Sequence, residues 1–573
     1  MMARMTGPGE DGRTIAAILD SVTPALFAAL VTALAAAASA SVGLSAAAAS
    51  GADSHLQQRL STGTVPPFGT LDAAERRALE ALYADGRLLW LAPDGRPTSS
   101  ANDALRLLAT AGDHGLRPAD YHVDELDRRA GMLGTGGADA DGQAVFDLAT
   151  STAMLRYLRH LHNGRVDPQR LGWRLDVPAE RHDLVDSLRR ALATQRVAAL
   201  EEELAPALAQ YRQLRVALRQ YRALTAATAS DDLELPATTI RPGDPLAPAH
   251  VEALAARLRL LGDLKPGPLP DAAYEAPLVG AVRRFQDRHG LEVDGIIGPA
   301  TRAALAVPLS WRVRQIELSL ERLRWLPDLA DTRVIVVNIP TFHLWAWDSP
   351  RRDGRPALGM RAIVGRALRT QTPVFIATLR EVVFRPYWNI PRSILVNEIL
   401  PRVARDPGYL ARNGMEIVRG WGDDAPVVPA TGNNIALLRQ GALRLRQRPG
   451  PANSLGLVKF MFPNVDNVYL HDTPAHELFS LSRRDFSHGC VRVENPKALA
   501  EWVLRDQPGW TREAIEAAMA AGGPTYVLVA RPVQVVLYYL TAAVDPSSGI
   551  VRFADDIYRH DPPLDRALTI ASR

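Results

Sequence analysis

The chain has 573 residues, 47% of them hydrophobic and 23% charged, with a formal net charge of +3. That length exceeds what one core sustains, so three or four compact units are expected, and the composition excludes wholesale disorder. The basic residues are almost all arginine, the lysines being Lys265, Lys459 and Lys497, and they are scattered among acids. This argues against a nucleic-acid partner, which would need a clustered basic face.

No charge occurs from Ser21 to Ala52, after a short segment carrying Arg4 and Arg13. An apolar run behind basic residues, ending in small-residue triplets such as Ala38-Ser39-Ala40 or Ala46-Ala47-Ala48, is the pattern of a secretory signal. Roughly 20 apolar residues also span a bilayer, so residues 1–53 read as a signal peptide or a membrane anchor. Either places the rest of the chain outside the cytoplasm, where a stray thiol tends to oxidise or pair.

Residues 54–235 carry apolar positions at three-to-four spacing, as in "DAAERRALEALYADG" and "AVFDLATSTAMLRYLRHLHNGR", and predict a helical scaffold domain. His160 and His162 lie two apart there and point to different helix faces, a poor metal pair. The linker "RPGDPLAP" then opens a compact stretch, 236–308, with two helices and the start of a third at Thr301. Its segment "AVRRFQDRHGLEVDGIIGPATRAAL" resembles the three-helix peptidoglycan-binding domain. Val282, Phe285, Leu291, Ile296, Ile297 and Leu305 are expected to form its small core, whether the domain binds glycan or only acts as a spacer.

After a helix in "WRVRQIELSLERLRWLP", the texture becomes β-branched, aromatic and alternating, from "RVIVVNIPTFHLWAW" to "PVQVVLYYLTAAV". Residues 309–545 are therefore expected to form a mostly β domain. Within it, 393–450 reads as a helical and irregular insertion suited to capping a site. "DPSSG" before "IVRF" predicts a closing hairpin, and 546–573 forms a C-terminal extension.

The chemistry centres on "FSHGCVRVEN", which holds the only cysteine, Cys490. A thiolate is a strong nucleophile, and a nearby imidazole can generate it. His488 lies two residues before it, and His471, at the end of "VYLHD", lies 19 before. If that strand and the loop run side by side, His471 faces the sulfur. Gly489 lets the backbone approach a reacting carbonyl, where amides can stabilise an oxyanion.

The stretch "HDTPAHELFSLSRRDFSHGCVRV" resembles the active-site signature of the L,D-transpeptidases with a YkuD-type catalytic domain. With the helical front domain and the peptidoglycan-binding module, the chain resembles the large multidomain periplasmic members of that family, a multidomain α+β architecture with a capping insertion. The resemblance implies Cys490 as nucleophile and His471 as its base. It places the oxyanion hole at the amides around Gly489 and Cys490, with Tyr469 contributing, and makes Ser487 and His488 site-shaping. Arg492 is either a support or a binder of a substrate carboxylate, and Trp388 lines the donor groove or lies in the core.

The implied reaction removes the terminal D-alanine from a tetrapeptide stem and joins the acyl group to the side-chain amine of another stem, a 3→3 cross-link. Water, a D-amino acid or a lipoprotein lysine are alternative acceptors. Peptidoglycan is the implied partner, with cell-wall enzymes supplying tetrapeptides. No cofactor or metal is implied. His343, His289 and His476 lack any such motif and read as structural or surface residues.

Overall fold

A computed structural model describes residues 51–175, 182–228, 232–350 and 355–570. The expected signal or anchor lies almost wholly outside the described residues, although 51–62 are helical and its expected end at 53 falls inside that helix. No helix among the described residues is long and apolar enough to cross a membrane. The described residues divide into two compact units, those within 51–111, 117–158 and 182–203, and those within 112–116, 159–175 and 204–570. The expected scaffold segment 54–235 is thus shared between them.

The first unit is helical. Its helix Ala73–Leu82 begins with a capping box, in which Asp72 accepts from the Glu75 amide and Glu75 reaches back to the Asp72 amide. In its core the Asp147 carboxylate is fully buried, where the amides of Leu89 and Trp90 and the hydroxyl of Tyr83 donate to it. A buried carboxylate is tolerable only with such donors.

In the second unit the helices Pro248–Leu260, Leu278–Arg288 and Pro299–Leu305 form the expected small domain. Val282, Phe285, Ile297 and Leu305 are buried in its core and Leu291 packs on the edge. A bidentate pair from Arg288 to Asp263, both buried, ties the second helix to the loop after the first. Breaking it would leave an uncompensated buried charge, at a cost of about 3–5 kcal/mol.

The rest of this unit is built on a nine-stranded mixed sheet. Its strands are β1 (Val334–Asn338), β2 (His343–Trp347), β3 (Leu358–Gly365), β4 (Phe375–Phe384), β5 (Val458–Met461), β6 (Leu470–His471), β7 (Asp485–Ser487), β8 (Val491–Val493) and β9 (Thr525–Tyr538). The spatial order is β7-β3-β8-β6-β5-β4-β9-β1-β2, and β2 also pairs with β3, so the sheet closes on itself. Alternating apolar residues on one face, among them Val382, Phe460, Leu470, Val491 and Val493, fill a continuous core. Helices Ala209–Ala227 and Leu309–Arg324 pack into that core through Leu214, Leu218, Ile316 and Leu320.

The expected insertion is more ordered than its sequence suggests. Strands Trp388–Asn389, Met415–Val418, Val427–Val428 and Arg444–Gln447 form a separate four-stranded sheet. This packs with Leu395, Ile399, Leu400 and Leu438 into a core of its own. The expected hairpin is present, Ala542–Val544 pairing with Val551–Phe553. The extension after it returns to the sheet: the Tyr558 hydroxyl donates to the Gly365 carbonyl at 2.6 Å and accepts from the Thr372 amide at 3.1 Å.

Candidate active site

The site is assembled by one short parallel pairing. β6 runs beside β8 with Leu470 opposite Val491 and His471 opposite Arg492, and the Val491 amide donates to the Tyr469 carbonyl at 3.1 Å. Because a strand alternates faces, Tyr469, His471, Cys490 and Arg492 all project from the same side of the sheet. On the far side of β6, Lys459 of β5 stands opposite His471 and so joins that face.

Cys490 is the single free thiol and is partly exposed, its Sγ donating weakly to the Asn467 carbonyl at 3.8 Å. Burial pushes the thiol above its usual range, opposed by donation from the Tyr469 backbone and hydroxyl and by the charges of Lys459 and Arg492. The Tyr469 phenol is itself pushed well above its ordinary value by burial and by Cys490, so it stays protonated and can donate. Its ring lies 5.7 Å from that of His471 and carries the Lys459 ammonium 3.9 Å from its centroid.

His471 is buried, and its Nδ1 lies 2.5 Å from the Asp472 carbonyl oxygen. A carbonyl can only accept, so this contact assigns the proton to Nδ1 and leaves Nε2 as the basic nitrogen. Burial, then Arg492 and Lys459, push the imidazole down to about 3 against the backbone of Asp472 and Leu455. The resting pair at neutral pH is therefore a thiol and a neutral imidazole. The Asp472 carboxylate fixes the turn below by accepting from the amides of Leu457 and Thr473 at 2.8 and 2.7 Å.

The backbone around the thiol is held from several directions. Gly489 has φ 113°, a region that L side chains avoid, which is why a glycine precedes the cysteine. Ser487 Oγ donates to the Cys490 carbonyl at 2.5 Å and accepts from the Gly489 amide at 3.1 Å. Of the two amides expected at the oxyanion hole, that of Gly489 thus has a side-chain partner. From the loop after β3, Thr372 Oγ1 donates to the Gly489 carbonyl at 2.8 Å and Thr370 Oγ1 to the Ser487 carbonyl at 3.0 Å.

The exposed His488 leaves this cluster, its Nε2 lying 2.5 Å from Glu398 Oε1 of the insertion. Arg492 is half-buried, and its Nε has no hydrogen-bond partner among the described residues. Trp388 is partly buried and packs on the core of the insertion. Sequence reasoning missed Lys459 and the Thr370 and Thr372 hydroxyls. The lysine had one available signal, as a lone charge in the alternating segment "GLVKFMF".

His289, His343, His471 and His560 are all held below the ordinary histidine value mainly by burial, His343 and His560 to about 4. Each is neutral when folded and charges on unfolding. Their stabilising effect is complete above pH 6.5 and is lost as pH falls from there towards 4. For the nearly inaccessible His471, the loss between pH 6.5 and 5 is on the order of 2 kcal/mol. Urea titrations are expected to give a lower midpoint for the second unit at pH 5 than at pH 7.5.

The L,D-transpeptidase catalytic domain family matches residues 332–535, the "Putative peptidoglycan binding domain" matches 248–305, and a "Scaffold domain" matches 77–218. A curated relative from Haemophilus influenzae, named "Putative L,D-transpeptidase", is 34% identical over 254 residues, 44% of this chain and 49% of the relative. The chain thus spans about half the length of the curated relative it matches. A crystal structure of the L,D-transpeptidase from Xylanimonas cellulosilytica is 19% identical over 53% of this chain and all of that one, with a TM-score of 0.17.

Proposed function

We propose that this chain, which carries a YkuD-type L,D-transpeptidase catalytic domain beside a peptidoglycan-binding domain, is a cysteine-dependent transpeptidase that forms 3→3 cross-links in the cell wall. The observation that supports this most is the β6–β8 pairing, which gives one sheet face a thiol, an imidazole, a phenol and a guanidinium. In the first half-reaction Nε2 of His471 takes the thiol proton as Cys490 Sγ attacks the carbonyl of the third stem residue. The tetrahedral oxyanion is stabilised by the Cys490 amide and the Tyr469 hydroxyl, the Gly489 amide being engaged by Ser487 Oγ. The C–N bond to D-alanine then breaks, the imidazolium returns its proton to the leaving amine, and a thioester remains.

In the second half-reaction the side-chain amine of an acceptor stem attacks the thioester. An amide forms, and the thiol is regenerated with the proton the amine loses. Arg492, whose buried Nε has no hydrogen-bond partner among the described residues, supports the site or binds a substrate carboxylate. Because His471 stays neutral down to about pH 3, acylation is not switched off by its protonation between pH 7 and 5. A peptidoglycan substrate lies outside the cytoplasm, in keeping with the secretory pattern expected of the N-terminal sequence.

A thiol hydrolase that only trims stems would use the same first step. The two are separated by supplying tetrapeptide donors with and without an acceptor stem. The transpeptidase is expected to release D-alanine and to yield dimers only when acceptor is present; tripeptides in both cases with no dimer would make it a trimming enzyme.

A further inference from the structure

Lys459 is one of three lysines in a chain whose other basic side chains are arginines, and it is the one set into the sheet face that carries the thiol. It stands opposite His471 on one side and opposite Val383 of β4 on the other, in a row that continues to Arg492. No carboxylate oxygen among the described residues lies within 4 Å of its ammonium, which instead rests 3.9 Å from the centre of the Tyr469 ring. A partly desolvated ammonium on an aromatic face is held electrostatically by the ring quadrupole. Tyr469 is also the residue whose carbonyl accepts from the Val491 amide next to Cys490 at 3.1 Å, and its hydroxyl and backbone favour the thiolate.

We infer that Lys459 is a positioning residue for the nucleophile, its ammonium seating the Tyr469 phenol against Cys490 and holding a fixed positive charge beside the sulfur. This inference rests on Cys490 being the nucleophile. Of the other groups facing the thiol, Arg492 of β8 also supplies a positive charge, which burial first and then Arg366 disfavour, as burial disfavours that of Lys459. His471 is neutral. Glu381 of β4 is the carboxylate whose charge acts on Lys459, and His488 is engaged with Glu398.

The test exploits the single thiol, since alkylation of the full chain by iodoacetamide reports Cys490 alone. The pH midpoint of alkylation is measured for wild type, K459M, K459Q and K459R, with circular dichroism as the check on fold and D-alanine release recorded in parallel. Removing the charge is expected to raise the midpoint by about one unit, an approximately tenfold slower alkylation at neutral pH, with K459R recovering most of the shift. An unmoved midpoint in a folded neutral variant overturns the inference. So does loss of the fold in both neutral variants while K459R folds, because the ammonium would then serve the structure rather than the thiol. Absent D-alanine release from wild type would instead defeat the transpeptidase reading and leave the midpoint result standing on its own.

Discussion

Cys490→Ala is expected to abolish both D-alanine release and dimer formation, a loss of at least about 10³-fold, while leaving the thermal midpoint nearly unchanged. The two halves of this expectation come from different observations. Without sulfur no thioester can form, and no other cysteine exists to substitute. The side chain is partly exposed and its hydrogen bond to the Asn467 carbonyl, at 3.8 Å, is weak, so little packing is lost. Activity assays on tetrapeptide muropeptides and a melting curve on the same preparation check both. Residual D-alanine release in the variant would mean that the site lies elsewhere.

Gly365→Ala is expected to damage the site without touching a reacting group. Gly365 ends β3, and a methyl there would fall on the Thr370 carbonyl oxygen and 2.7 Å from the Thr372 amide. Those residues belong to the loop whose hydroxyls hold the Ser487 and Gly489 carbonyls, and whose Thr372 Oγ1 also accepts from the Gly365 amide. Backbone cannot swing aside like a flexible side chain, so the loop must shift. The expected cost is about 1–3 kcal/mol of stability. A displacement of 1 Å at the nucleophile lowers kcat/KM by about 100-fold. Chemical denaturation and D-alanine release measure the two effects, and an activity loss without any change in stability would contradict the steric account.

The sheet domain was legible in outline because its long strands announce themselves: β1, β4 and β9 are β-branched runs bounded by Gly and Pro. The strands that build the site were not. β7 and β8 have three residues each, too few for an alternation to register, and are separated by a glycine in a positive-φ turn. "NVYLHD" reads as a longer strand, whereas only Leu470 and His471 lie in the ladder. The insertion reads as irregular because its strands are two to four residues long and pair across loops, so its core depends on contacts that no local pattern encodes. The motif named Cys490, Gly489 and His471 directly, since they follow one another at fixed spacing. Lys459 and Thr372 escaped because they reach the thiol from other strands and loops, through register rather than through sequence neighbours.

The central claim is that Cys490 becomes acylated by a stem peptide. Intact-protein mass spectrometry after mixing the full chain with tetrapeptide muropeptide, without acceptor, tests it most directly. The predicted result is a mass increase equal to the donor less one D-alanine, localised by peptide mapping to Cys490 and absent from Cys490→Ala. D-alanine release with an unmodified Cys490, or an adduct that persists in the alanine variant, would contradict it.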